Sequence, residues 1–140
     1  MAVTHSHDQA PAIQRRRLTL LGHAFVLWAL CGLTMGVGQA VTTVDAALVA
    51  HAVAAPIFAV AVSWNYFSRY AYTTPLQTAL VFVSFVIVMD LFLVALVIER
   101  SLEMFASPIG TWIPFALIFA STYLTGRVAE RRHGSAQGPR

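Results

Sequence analysis

The sequence predicts an all-α membrane protein: a bundle of four transmembrane helices running up-down-up-down, with N- and C-termini in the cytoplasm. Three observations carry that expectation. Hydrophobic residues make up 58% of the 140 residues and charged residues only 11%. An ordinary soluble domain carries about 25% charged residues, and so few charges could not cover a water-facing surface. The apolar residues fall into four runs, 18–38, 44–67, 76–98 and 109–126. At about 1.5 Å rise per residue each can cross a hydrocarbon core of about 30 Å. Finally, the arginines gather on one side of those runs.

The elements follow in order. Residues 1–17 read as a cytoplasmic flexible tail that ends in Arg15, Arg16 and Arg17; its first fourteen residues lack an apolar period that could bury against a core. The segment RRRLTLLG resembles a twin-arginine export signal, and GQA beyond the run offers small residues for cleavage. The length of the run and the three spans after it favour a retained helix. Strands would need about ten residues of alternating polarity, a pattern that these runs do not show. Gln39 to Thr43 is a polar turn, and RYAYTTP places Pro75 where a proline suits the first turn of the third helix. The connection ERSLEMFASPIG is expected to lie at the surface, with Leu102, Met104 and Phe105 dipped into lipid. Residues 127–140 form a basic cytoplasmic tail, so the transmembrane domain spans 18–126. The stretches starting at Pro56 and Pro114, PIFAVAVSWNY and PFALIFASTY, match loosely enough to reflect shared composition rather than duplication.

Charge sets the orientation. Lysine is absent, and of the nine basic residues Arg15, Arg16, Arg17, Arg69, Arg127, Arg131, Arg132 and Arg140 fall on one side, leaving only Arg100 on the other. The positive-inside rule puts the first side in the cytoplasm. Trp64, Tyr66, Tyr70, Tyr72 and Tyr123 near the inner face and Trp112 near the outer read as aromatic anchors. Arginine in place of lysine, with abundant alanine and valine, suggests a GC-rich bacterial genome, and the expected location is the bacterial inner membrane.

Ionisable residues inside the runs are the informative ones, because a charge at mid-membrane costs about 3 kcal/mol on insertion scales. His51 and Asp90 are estimated at about 9 and about 12 Å from the outer edges of the second and third spans. Two antiparallel neighbours would bring them to one level as an intramembrane polar pair, structural or acting as a proton or cation site. His23, Asn65 and Arg69, with Asp45 and Glu99 near the outer helix ends, are auxiliary polar candidates. The face of His51 continues through Ala55, Phe58 and Val62, and that of Asp90 through Val86, Val83 and Ala79. Gly32 and Gly36 form a G-x-x-x-G pair and Ala46, Ala50 and Ala54 a small-residue ridge, both suited to close helix packing or to a second copy. Pro56 removes a backbone hydrogen bond inside the second span and is a candidate kink.

No chemistry-bearing constellation stands out. The lone Cys31 reads as a small buried residue, and no Cys/His spacing suggests a metal. His23 and His51 differ in depth by about 13 Å, too far to share one haem. The HSHD stretch reads as plain tail rather than a metal site. No cofactor is expected, and the partners are the lipid bilayer and a second copy or another membrane protein, not nucleic acid. The leading functional reading is a non-enzymatic accessory or assembly partner. A proton- or cation-coupled transporter using His51 and Asp90 comes next, and a membrane redox or lipid-modifying enzyme last.

Overall fold

A computed structural model describes residues 9–106 and 108–135, excluding the side chains of residues 9–11, 99, 103, 104, 109, 110 and 133. The HSHD stretch and the side chains of Glu99 and Met104 lie outside the described residues. The described chain is all-helical. Helix α1 runs Gln9–Val41, α2 Val44–Arg69 and α3 Pro75–Met89, and α4 runs Ile113–Ser135. Past Met89, α3 continues as a wider π-helix over Asp90–Glu99; a 3-10 turn, Glu103–Ala106, and a π turn, Pro108–Trp112, then lead into α4.

Three segments are long and apolar enough to cross a membrane: Ala12–Val41, Val44–Arg69 and Pro75–Ile98. In α4 the apolar stretch is cut short by Arg127, Glu130, Arg131 and Arg132. Where they are described, both expected tails are helical instead: α1 starts at Gln9, so Arg15 to Arg17 ride on it, and α4 runs through Arg127, Arg131 and Arg132 to Ser135.

Local chemistry explains the ends. Thr43 caps α2 by accepting from the Ala46 backbone N–H, 3.3 Å away. Thr74 caps α3 in a full capping box: its hydroxyl accepts from Gln77 N–H, while the Gln77 side chain accepts from Thr74 N–H. Pro75 follows at the first helical position, as its sequence placement predicts. Between α2 and α3 the chain reverses through Ala71 in the left-handed region, φ 44°. Arg100, φ 51°, closes the π-helix in the same way. Pro56 sits inside α2, which nonetheless runs unbroken.

The helices pack in the ring order α1, α2, α4, α3. Two hairpins, α1–α2 and α3–α4, thus lie side by side, and the consecutive helices α2 and α3 occupy opposite corners. In α1 the buried positions Leu20, Ala24, Leu27 and Cys31 alternate four-three-four, the spacing of a left-handed packing seam. In α2 they include Ala47, Ala55, Ala59 and Ser63, with half-buried His51 filling the gap in that four-residue series. The expected ridge is therefore displaced by one residue: Ala46 and Ala50 are exposed and Ala54 only half-buried.

The glycines are reassigned in the same way. A Cβ built on Gly32 or Gly36 would meet nothing within 4 Å, so that pair does not pack inside the chain. The close approaches are at Gly38, where a Cβ would sit 2.8 Å from the Ala47 Cβ, and at Gly126, where it would sit 2.7 Å from both the Phe67 ring and the Pro75 Cβ. Gly126 lets α4 press between the end of α2 and the start of α3, a place with no room for a side chain.

One end of the bundle is basic. Arg16 lies over the Tyr72 ring at 5.3 Å and Arg132 over the Trp64 ring at 5.1 Å. These cation–π contacts tie the start of α1 to the α2–α3 connection and the end of α4 to α2. Tyr66 is no interfacial anchor, since it is fully buried in the core. Phe105 likewise packs against the core instead of dipping into lipid, and its carbonyl accepts from the Trp112 indole at 3.0 Å.

Candidate functional site

Three groups of polar side chains link the helices. The first surrounds Asp90, at the junction where α3 widens into the π-helix and the Asp90 N–H reaches the carbonyls of both Val86 and Ile87. Its carboxylate accepts a hydrogen bond of 2.9 Å from the indole N–H of Trp28 on α1. Among the described residues no hydrogen bond or ion pair joins His51 to Asp90, contrary to the pairing that their matched depths suggested. The reason is the ring order: depth places two groups at one level, but α2 and α3 stand at opposite corners. On the Asp90 stripe Val86 and Ala79 are buried, and Val83 and Asp90 itself are half-buried.

His51 remains on the packing face of α2, its Nδ1 buried without a hydrogen-bond partner. Two buried hydroxyls are in the same state, Ser63 Oγ on α2 and Thr122 Oγ1 on α4. Because Phe67 meets Gly126, counting back four residues sets Ser63 and Thr122 at one level on adjacent helices.

The second group was not legible in advance. Tyr66, Thr73 and Thr78 form a hydroxyl chain with steps of 2.9 and 2.8 Å, and the Thr78 hydroxyl donates to the Thr74 carbonyl at 3.0 Å. A carbonyl can only accept, so the protons of the chain point one way, from Tyr66 through Thr73 and Thr78 to Thr74. This pins the α2–α3 connection to the core.

The third group joins two auxiliary candidates across α1 and α2. His23 Nδ1 lies 2.7 Å from the Thr19 carbonyl, so that nitrogen carries a proton. Its Nε2 is 3.3 Å from the Asn65 side-chain oxygen. A neutral ring takes the Asn65 amide N–H at Nε2 and a doubly protonated ring takes its oxygen, so a flip of the amide serves either form. The Tyr66 and Tyr70 rings stand edge-on to His23 at 5.4 and 5.5 Å. This pair flanks a groove of about 630 Å³ between α1 and α2, lined by Thr19, His23, Val26, Ala61, Asn65 and Tyr70 among others. A smaller recess of about 360 Å³ lies between the start of α3 and α4, beside Tyr123 and Arg127.

Asp45 and Arg69 do not join these clusters: Asp45 sits exposed in the first turn of α2, and Arg69 is exposed in its last turn. Among the described residues no group of three His, Cys, Asp or Glu side chains could hold a metal. Trp28 is the participant that the sequence reading missed. A signal existed, because an indole N–H within an apolar run needs an acceptor, and Asp90 is the carboxylate placed deep in such a run.

No protein-family model, no curated protein and no solved structure matches the chain, so its apolar helices and these polar ties are what speak for its role: it is a helical protein built to sit in a membrane.

Proposed function

We propose that this chain is a four-span protein of the bacterial inner membrane, both termini cytoplasmic, that serves as a non-enzymatic accessory or assembly partner. The observation that carries the reading is the open Gly32–Gly36 face of α1. A Cβ at either glycine would meet nothing, and the flanking Leu33 and Val37 are 62% and 53% exposed. In lipid, helices associate through close backbone approach at such notches, and the chain's own packing leaves this one uncovered. Asp90 fits the same reading, because Trp28 employs it as a tie between helices.

The test is purification of the tagged protein from its own membranes in mild detergent. Wild type is expected to elute in a complex, and Gly36→Ile to elute alone with unchanged thermal stability. A wild type that elutes as a lone monomer, or an Ile variant with its partners intact, refutes the assignment.

A transporter reading draws on a different observation, the partnerless buried atoms of His51, Ser63 and Thr122 along α2 and α4. It predicts proton flux into proteoliposomes that His51→Ala abolishes, and flux that persists in this variant rejects it.

A further inference from the structure

We infer that the groove between α1 and α2 is a binding site for one anionic phospholipid, its headgroup held at the arginine-rich end. This goes beyond the accessory role and stands whether or not a protein partner is found. The groove has two chemically distinct halves. Val26 and Ala61 form an apolar stretch, whereas Thr19, His23, Asn65 and Tyr70 place hydroxyl, imidazole and amide groups toward the basic end. From Thr19 to Val26 is seven residues, about 10 Å of helix, enough for a glycerol backbone and the first methylenes of an acyl chain.

Charge complementarity selects the headgroup. Arg15 lies one turn before Thr19 on α1, the two linked by the Thr19 hydroxyl donating to the Arg15 carbonyl. Arg69 lies one turn beyond Asn65 on the same side of α2. Both arginines are exposed, each one helical turn beyond a residue that lines the polar end of the groove, one on either wall. Arginine suits phosphate oxygens because its planar fork donates two parallel hydrogen bonds. His23, bridging to Asn65 with its ring held by Tyr66 and Tyr70, gives the polar half a fixed wall.

The experiment is native mass spectrometry of the full chain in detergent, titrated with phosphatidylglycerol or phosphatidylcholine of identical acyl chains. Wild type is expected to retain one phosphatidylglycerol with at least about tenfold preference. Ala61→Phe, at an exposed position, fills the groove and should abolish that retention. Should this variant not fold, Gly22→Leu closes the groove from the other wall, where a Cβ meets nothing within 4 Å. The double variant Arg15→Gln, Arg69→Gln should bring phosphatidylglycerol down to the phosphatidylcholine level, whereas Arg131→Gln, Arg132→Gln should not. Equal retention of the two lipids by wild type overturns the proposal, as does undiminished binding in the groove-filled variants or an equal loss from either arginine pair.

Discussion

Replacing Trp28 by phenylalanine keeps the aromatic bulk and deletes one donor, the indole N–H that reaches Asp90 at 2.9 Å. A hydrogen bond to a charged group contributes about 1.5–3 kcal/mol in water-soluble proteins. Inside bilayers, pairwise coupling averages about 0.6 and reaches about 1.7 kcal/mol, because the separated helices find other partners. For a part-buried bond to a carboxylate the expected coupling is about 1–1.5 kcal/mol. Trp28→Phe strips one donor from the carboxylate, and comparison with Asp90→Leu and with the double variant Trp28→Phe, Asp90→Leu isolates the coupling. Reversible unfolding in mixed micelles of rising dodecyl sulfate content, followed by far-UV circular dichroism, gives the four corners of that cycle. A second cycle, His51→Ala with Asp90→Leu, should be additive to within about 0.5 kcal/mol. Additivity in the first cycle together with coupling in the second would overturn the ring order of the helices as well as the tie.

Two further outcomes follow from the backbone. Gly126→Val should destabilise by about 1–3 kcal/mol through overpacking against Phe67 and Pro75, whereas Gly32→Ala, in open space, should be neutral or stabilising by up to about 1 kcal/mol; the same unfolding assay compares them, and equal effects would contradict the packing. Ala71→Gly should raise stability by about 1 kcal/mol, because alanine is held at φ 44° where glycine carries no Cβ penalty; a loss of stability would mean that the connection has another conformation.

The helices were readable because hydropathy acts locally. Pro75 announces the start of α3, and the second apolar run and α2 both begin at Val44, whereas the caps at Thr43 and Thr74 emerge only from the structure. What sequence could not supply was which helices touch. His51 and Asp90 were matched by depth, a coordinate along the membrane normal, but adjacency is decided in the plane by whether surfaces such as Gly38 against Ala47 fit. For the same reason the alanine ridge was read one residue out, since Ala46 and Ala47 are equally small and only the packed helix distinguishes them. His23 and Asn65 were flagged separately, and their union needed the α1–α2 crossing. The helical extensions at Gln9 and Ser135 escaped notice because polar residues can propagate a helix once lipid has nucleated it.

The side-by-side hairpins have a consequence for assembly. In the four-span arrangement proposed above, each hairpin enters the bilayer as a unit, and the contacts that unite the two, Trp28 with Asp90 and Gly126 against Phe67, arise only when they meet laterally and expel the lipid between them. Nothing in those bonds distinguishes a hairpin of the same polypeptide from that of an identical neighbour. Fidelity therefore rests on the tether crossing the diagonal, where the hydroxyl chain from Tyr66 to Thr74 keeps the second hairpin local and guards against swapped dimers.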